Sequence, residues 1–189
     1  MYISGTAAAE NLNFSATTLT GIQYISMLGG NDTVTGSAAA DVIYGGDGSD
    51  VIAGGGGGDV IYGDNGNDTL TGGLGADILV GGDGTNTFDF NSVAESSGAS
   101  ADLIWDFWQP LSDKIDLSTI DANTGLAGDQ AFSFIGAAAF SGVAGELRFD
   151  NTTNPGLTTV YADNTGDSIA DFTVHLNGTY TLFAADFIA

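Results

Sequence analysis

The stretch GGDGSDVIA, residues 45–53, contains the pattern that decides the fold. Glycine fills three of its first four positions, aspartate the sixth (Asp50) and a large aliphatic residue the eighth (Ile52). Aligned in nines from residue 27, seven copies follow without insertion or deletion: MLGGNDTVT, GSAAADVIY, GGDGSDVIA, GGGGGDVIY, GDNGNDTLT, GGLGADILV and GGDGTNTFD. A flexible glycine-rich linker has no reason to hold aspartate and an aliphatic residue in fixed phase over this length, so the repeat indicates ordered structure.

Two positions of the repeat carry the chemistry. The sixth position is Asp32, Asp41, Asp50, Asp59, Asp68, Asp77 and then Asn86. The eighth position is Val34, Ile43, Ile52, Ile61, Leu70, Leu79 and Phe88. Because successive side chains of a strand point to opposite faces, we expect the eighth position to fill a core and the ninth, such as Tyr44 and Thr71, to face outward.

The pattern resembles the repeats-in-toxin (RTX) proteins, whose signature is G-G-x-G-x-D-x-U-x with U a large apolar residue. The resemblance implies an all-β chain with a right-handed parallel β-roll. In such a roll each nonapeptide forms a turn with its first six residues and a short strand with its last three. Two nonapeptides complete one coil, so residues 18 apart should stack at about the 4.8 Å strand spacing.

This stacking creates two columns of like charge, one with Asp32, Asp50, Asp68 and Asn86 and one with Asp41, Asp59 and Asp77. Neighbouring carboxylates repel by about 1 kcal/mol in water and by several times more in a shielded turn. Calcium is a hard cation that accepts roughly 6 to 8 oxygen ligands. With one site in each interval between stacked turns, we expect about five calcium ions.

In the RTX family, backbone carbonyls at positions two and four complete each calcium site. The resemblance carries that role to Leu28, Gly30, Ser37, Ala39, Gly46, Gly48, Gly55, Gly57, Asp64, Gly66, Gly73, Gly75, Gly82 and Gly84.

Composition narrows the function further. Two basic residues, Lys114 and Arg148, stand against 24 acidic ones, for a net charge of −22. Nucleic acid and anionic membranes are therefore poor partners. An apolar fraction of 43% and no cysteine indicate a folded chain without disulfides or thiolate sites. No apolar run reaches the roughly 20 residues of a membrane span, and the N-terminus lacks the features of a secretory signal peptide, so we expect no membrane insertion.

The chain divides into three predicted regions. In residues 1–26, GTAAAENLN is similar to the repeat GSAAADVIY, with Glu10 at the position of the aspartate. The following TLTGIQYISML is out of register with the repeats. We interpret residues 1–26 as degenerate coils that cap the roll. Metal binding at Glu10 or Gln23 is disfavoured. Residues 27–89 form the roll, and residues 90–189 form a cap of antiparallel, β-sandwich-like strands.

The second half resembles the C-terminal domain of the serralysin metalloproteases in ADLIWDFWQPLSDKIDLS, GELRFD, VYADNTGDSIADFTVHLNG and LFAADFIA. That domain carries the type I secretion signal, which ends in an acidic residue followed by apolar ones, matched by Asp186 and the three residues after it. Trp108-Gln109-Pro110-Leu111 departs from the family's shorter link. We expect Trp105 and Trp108 to be core residues rather than a sugar-stacking pair.

Weaker metal candidates lie outside the repeats. DNTGDSIAD, residues 163–171, places Asp163, Thr165, Asp167 and Asp171 as in half of an EF-hand loop, but Ser168 replaces the turn glycine and Val174 the bidentate glutamate. A tight Asx turn is the alternative. Asp106 and Asp113 are further candidates for closing the site beyond Asn86.

Catalysis is not expected. The only histidine is His175, so the H-E-x-x-H zinc site of serralysins cannot form, and neither a G-x-S-x-G motif nor a cysteine nucleophile exists. We interpret the chain as a bacterial extracellular module that binds calcium, is exported through type I secretion machinery by its C-terminus and stabilises an upstream passenger domain. The alternative is a module for polysaccharide binding, adhesion or surface-layer anchoring.

Overall fold

The computed structural model describes residues 1–17, 19, 22, 24–109 and 113–189. Gln23, Pro110 and Leu111, considered above, lie outside them. The first ten strands are β1 (Ile3–Ser4), β2 (Asn11–Asn13), β3 (Ile25–Ser26), β4 (Thr33–Thr35), β5 (Val42–Asp47), β6 (Val51–Gly56), β7 (Val60–Asn65), β8 (Thr69–Leu74), β9 (Ile78–Val80) and β10 (Thr87–Asp89). The remaining strands are β11 (Asp102–Ile104), β12 (Lys114–Asp116), β13 (Ser133–Phe134), β14 (Glu146–Asp150), β15 (Leu157–Asp163), β16 (Phe172–Asn177) and β17 (Phe187–Ile188).

Successive strands of the repeat region alternate between two sheets. One sheet has ten strands in the order β1-β3-β5-β7-β9-β11-β16-β15-β14-β13, and the other has seven in the order β17-β12-β10-β8-β6-β4-β2. Within the repeats the pairing is parallel with an offset of 18 residues, as in Ile43 opposite Ile61 and Ile52 opposite Leu70. The predicted all-β parallel roll is confirmed.

A single core runs between the two sheets. The eighth-position residues are at most 1% exposed, and the same column continues through Ile104 and Ile115 into the second half of the chain. Phe172, Val174 and Leu176 of β16 belong to the same buried cluster. The cap therefore extends the hydrophobic core of the roll instead of building a separate one.

The first strands after the repeats differ from the prediction. DLIWDFW and DKIDLS were expected to be antiparallel, but β11 pairs with β9 and β12 pairs with β10 in parallel. The reason is that Asp102 and Asp113 each precede an apolar residue by two positions, as in the repeat, so each segment continues the coil without its glycines. AFSFIG and YTLFAADFI were also expected to be antiparallel, but β13 pairs with β14 and β17 pairs with β12 in parallel. Antiparallel pairing is found between β14, β15 and β16.

Part of the N-terminal segment, residues 1–26, also follows the 18-residue register of the repeats, which was not expected. Ile25 lies opposite Ile43 with the full 18-residue offset, although TLTGIQYISML was interpreted as out of register. Leu12 lies opposite Val34, an offset of 22 residues, so the four extra residues fall between Asn13 and Ile25. Strands β1 and β2 are the terminal strands of their sheets at this end.

Among the described residues, helical structure is limited to single 3-10 turns, as at Gly98–Ser100 and Ala184–Asp186. Across the ranges that the structure describes, no helix has the length and apolar character needed to cross a membrane.

We predict that Ile61→Ala lowers the free energy of unfolding by about 2–5 kcal/mol, because it empties part of the eighth-position column. Ile61 is fully buried, whereas its neighbour Val60 points to the outer face and is only half-buried. Val60→Ala is the matched control, and urea unfolding is the measurement. Equal destabilisation by the two substitutions would contradict the assignment of the core face.

Candidate metal centre

Five aspartates of the repeat, Asp32, Asp50, Asp59, Asp68 and Asp77, accept a backbone hydrogen bond from the coil before them. The Oδ1 atom of Asp50 accepts a hydrogen bond from the backbone N–H of Asp32 at 2.8 Å, and Asp68 does the same for the N–H of Asp50 at 2.8 Å. On the other side Asp59 accepts from the N–H of Asp41 and Asp77 from that of Asp59. The sequence predicted the stacking of these residues but not the hydrogen bonds, each of which uses one carboxylate oxygen. We call the two columns of stacked acidic residues the carboxylate ladders.

The carboxylate ladders extend beyond the repeats at both ends. Asp102 accepts from the N–H of Asp77 and Asp113 from the N–H of Asn86, both at 2.8 Å. At the N-terminal end, Asp32 accepts from the N–H of Glu10 at 2.7 Å. Sequence reasoning missed Asp102, although its signal was present as an aspartate two residues before the buried Ile104.

In most ladder aspartates the second carboxylate oxygen has no hydrogen-bond donor. The Oδ2 atom is buried and has no hydrogen-bond partner in Asp32, Asp50, Asp59, Asp68, Asp77 and Asp102. Asp41 differs, because its Oδ2 accepts from the N–H of Ser37 at 2.7 Å. A buried carboxylate oxygen without a donor is costly, and a bound cation removes that cost. A hard cation such as calcium fits this donor set.

The glycine at position one lies against that free oxygen. An added Cβ at Gly54 would approach Asp59 Oδ2 and the carbonyl oxygen of Gly72 more closely than real Cβ atoms do. Gly45, Gly63 and Gly72 stand in the same relation to the aspartates five residues later. Position one therefore requires glycine because a side chain there would displace the carboxylate.

The turn carbonyls predicted as ligands form columns of their own. Added Cβ atoms at Gly48 and Gly66 would meet the carbonyl oxygens of Gly30 and Gly48, one coil earlier. Two residues at position two that are not glycine also adopt positive φ, Leu28 (71°) and Asp64 (70°). Gly46, Gly55, Gly73 and Gly82 follow at position two, and Gly57, Gly75 and Gly84 at position four.

The carbonyls at positions two and four differ in what they already bind. Those of Leu28, Ser37 and Asp64 accept N–H groups of the next coil. Of the residues that the structure describes, Gly48 and Gly57 at position four receive no backbone hydrogen bond on their carbonyl oxygens. Position four therefore retains acceptors that a cation could use, and the coordinating role of all these carbonyls remains a prediction.

Burial dominates the electrostatics of the ladders. Desolvation raises the pKa of Asp59 to about 7 and that of Asp68 to about 6, with a further rise from neighbouring ladder carboxylates. The same causes raise the pKa of Asp102 to about 8. Burial also raises the pKa of Asp50 and Asp77. Without a cation, folding therefore makes it harder to ionise these carboxyl groups, most of all Asp102 and Asp59.

Glu95 lies at the junction between roll and cap. Burial, followed by the charges of Asp89 and Asp77, raises the pKa of its carboxyl group, and one of its oxygens accepts the N–H of Asn91. Asp102, which feels the charge of Glu95, has its own N–H bound to the hydroxyl of Ser96. Sequence reasoning did not single out Glu95, which has no counterpart in the nonapeptide.

The weaker candidates have their oxygens engaged by backbone donors. Asp113 also accepts the N–H of Trp108, and Asp106 accepts the N–H groups of Gly81 and Gly82. Asp163 accepts the N–H groups of Thr165, Gly166 and Ser168. Asp171 accepts the N–H of Asn164, and Asp167 that of Ile169. The bonds of Asp163 to Thr165 and of Asp167 to Ile169 are those of Asx turns. Metal binding by these residues stays a prediction.

Trp105 and Trp108 are 51% and 49% exposed, so the prediction that they are core residues is wrong. Trp105 follows the buried Ile104 and falls at the outward ninth position, which explains its exposure. His175 points outward from β16, and its Nδ1 atom lies 3.0 Å from the hydroxyl of Thr159.

Within the described ranges, no place gathers three or more histidine, aspartate or glutamate side chains in a metal-holding group. A cation between two coils would therefore depend on carbonyl oxygens in addition to the ladder carboxylates.

We predict that Gly54→Ala destabilises the protein by about 1–3 kcal/mol, because the new methyl group overpacks against Asp59. Gly56→Ala is the matched control from the same strand, since a Cβ there finds ordinary contact distances to Ala38 and needs no positive φ. Urea unfolding in calcium buffer measures both. Equal effects would show that position one does not hold the carboxylate in place.

We also predict that the metal-free chain is more stable at about pH 5 than at about pH 8. The pKa values of Asp59, Asp68 and Asp102 are raised by folding, so protonation favours the folded state. Their contribution is complete below the ordinary value of 3.8 and is lost as the pH rises through about 6 to 8. Urea unfolding in excess EGTA across this range tests the sign, and stability that rises with pH would contradict it.

Comparisons with known proteins agree with this geometry. The chain is 41% identical over 90 residues to Metalloprotease AprA of Pseudomonas entomophila (strain L48), a match that covers 47% of the chain and 17% of that protein. The chain thus corresponds to a small part of this relative's length.

Two similar solved structures are repeat subunits of the mannuronan C5-epimerase of Azotobacter vinelandii. The subunit AlgE6R3 superposes with a TM-score of 0.58 and 30% identity, covering 81% of this chain and 80% of its own. The subunit AlgE6R2 has the same TM-score and identity, with coverage of 82% and 91%. The model of the family described as Peptidase M10 serralysin C terminal matches residues 3–189, and the chain therefore belongs to this family of serralysin C-terminal domains.

Proposed function

We propose that the chain is a calcium-binding module that folds when calcium fills the carboxylate ladders. The observation that carries the proposal is the row of buried Oδ2 atoms without hydrogen-bond partners. Asp32, Asp41, Asp50, Asp59, Asp68, Asp77 and Asn86 would supply side-chain oxygens, and the position-two and position-four carbonyls would supply the rest. Calcium would neutralise the buried charge, which the protein cannot do with only two basic side chains.

Calcium and folding are coupled in this proposal. Where calcium is scarce, the ladder carboxylates would lose their protons at neutral pH and repel one another, so the roll would remain open. Where calcium is abundant, binding would stabilise only the folded chain and so shift the equilibrium toward it. We propose that export of a bacterial passenger protein occurs in the open state and that the roll closes outside the cell.

We propose that the C-terminal residues act as a secretion signal that is recognised before the chain folds. In the folded chain Asp186 is 8% exposed, and its Oδ2 accepts from Gln109 Nε2 and from the N–H of Phe183. Phe187 and Ile188 pair with Ile115 and Asp116. Because these residues are integrated into the seven-stranded sheet, type I secretion machinery would have to recognise them in the unfolded chain.

Membership of the serralysin C-terminal family does not imply protease activity for this chain. The matched family is the C-terminal part of those proteins, and the single histidine His175 cannot form the H-E-x-x-H zinc site. We propose that the chain acts as a non-catalytic module for an upstream passenger. The division at residues 26 and 89 likewise remains a prediction.

A second candidate function is polysaccharide binding. Two observations favour it: the similar structures are subunits of an epimerase acting on mannuronan, and Trp105 and Trp108 are half exposed. Affinity electrophoresis in neutral and acidic polysaccharides, with Trp105→Ala and Trp108→Ala as controls, separates this function from a purely calcium-driven one.

We predict that Asp50→Asn raises the calcium concentration at the folding midpoint by about tenfold, which corresponds to about 1.4 kcal/mol. Asp50 is 1% exposed and loses a buried charge that calcium would neutralise. Asp47→Asn is the matched control, since Asp47 is an exposed carboxylate of the same turn that accepts from the side-chain amide of Asn65. Circular dichroism during calcium titration measures the midpoint.

Native mass spectrometry of the calcium-loaded protein should show about five bound ions, and fewer in Asp50→Asn. Full sheet content of the wild-type chain at neutral pH in excess EGTA would overturn the proposal.

A further inference from the structure

Arg148 is held in an unusual position for one of only two cations in the chain. Its guanidinium carbon lies 5.7 Å from the ring centroid of Phe140 and 5.4 Å from that of Tyr161. Tyr161 is its direct partner across the β14–β15 pair, so the strand register fixes this contact. Two aromatic rings thus hold the guanidinium group in place.

The guanidinium group has no anionic partner. In the part of the chain that the structure describes, it makes no ion pair or hydrogen bond, and its Nε atom is buried and unpartnered. The other cation, Lys114, donates from Nζ to the carbonyl oxygen of Ala185. An arginine without a partner is notable in a chain with 24 acidic residues.

The nearest carboxylates on the same strand face are committed elsewhere. Glu146 accepts from the N–H and the hydroxyl of Ser141, both at 2.6 Å. Asp150 is bound by the hydroxyl and amide groups of Thr153 and Thr152, which lower the pKa of its carboxyl group. Both residues flank Arg148 at a distance of two positions, yet neither neutralises it.

We propose that Arg148 is a binding site for a carboxylate group carried by another molecule. Because Nε is enclosed, the ligand would use the Nη edge of the guanidinium group, which can donate two parallel hydrogen bonds to one carboxylate. Phe140 and Tyr161 would hold that edge in position before binding. Lysine could not reproduce this planar donor pair.

The ligand is a single carboxylate on an uncharged, apolar body. A net charge of −22 repels polyanions, so a polymer of many carboxylates is disfavoured. The two rings beside Arg148 provide apolar contact for the body of the ligand. Such a group occurs in small organic acids and in an isolated acidic residue of a protein's apolar segment, and the experiment below separates these two sources.

The test uses the full chain in calcium buffer with nitrogen-15 arginine labelling. Arg148 is the only arginine, so a single Nε–H resonance reports on the site. Sodium benzoate is the probe and benzyl alcohol its uncharged match. We expect saturable shifts with benzoate and none with benzyl alcohol. Equal shifts from both compounds, or no shift with benzoate, would overturn the proposal.

The benzoate affinity of variants tests whether Arg148 is the binding site. Because some variants lack the labelled arginine, calorimetry or ligand-observed NMR measures the affinity. Arg148→Gln should weaken binding at least tenfold, Arg148→Lys should weaken it less, and Phe140→Ala should weaken it severalfold while keeping the charge. Lys114→Gln should leave affinity unchanged. Circular dichroism confirms that each variant is folded. Unchanged affinity in folded Arg148→Gln, or equal loss in Lys114→Gln, would refute the assignment.

Two capped apolar peptides distinguish the sources of the carboxylate, one with a central glutamate and one with glutamine in its place. Tighter binding of the glutamate peptide than of benzoate would assign the site to a protein partner. Binding of benzoate alone would assign it to small organic acids. Binding of the two peptides with equal affinity would count against a carboxylate site.

Discussion

Stacked, buried carboxylates are the constraint on which this structure depends. The 18-residue offset that places Ile43 over Ile61 also places Asp41 over Asp59, so a continuous core cannot form without a column of acidic groups beside it. One oxygen of each ladder carboxylate from Asp50 onward, and of Asp32, accepts a backbone N–H of the preceding coil. In Asp32, Asp50, Asp59, Asp68, Asp77 and Asp102 the other oxygen is buried without a donor, which favours a bound proton or cation at these positions.

The same constraint explains why the cap is continuous with the roll. A solenoid must terminate its sheets, and unpaired parallel edges favour association. Here Asp102 and Asp113 continue the ladders, while Ile104 and Ile115 continue the core. Among the described strands, antiparallel pairing is found only between β14, β15 and β16. The carboxylate ladders and the hydrophobic core therefore both continue from the repeats into the first strands of the cap.

The repeat region could be predicted in detail because its rules are local and periodic. Glycine, aspartate and aliphatic positions fixed the coil length, the core column and the identity of the ladder residues. The Oδ1 bonds could not be predicted, because they depend on how far each turn lies from the one before it. Asp102 was missed because its aspartate and isoleucine occur without glycine. The exposure of Trp105 follows from its outward position directly after Ile104, in a strand that pairs with β9 at an offset of 25 residues instead of 18.

Negative charge is distributed unevenly over the folded chain. On the parallel part of the ten-stranded sheet, the outward residues beside the core column are Ser4, Ser26, Val42, Tyr44, Val60, Tyr62, Ile78, Val80 and Leu103, none of which is acidic. Tyr44 and Tyr62 even stack on that face, with ring centroids 4.7 Å apart. In the repeat region the six ladder aspartates lie in the turns, and Asp47 and Asp64 lie where strands pass into turns. Because the repulsion acts mainly between turns, neutralising the turns should be sufficient to close the roll, while the strands themselves need no counter-charge. A cation that binds at the turns would therefore act where the folded state is most strongly opposed.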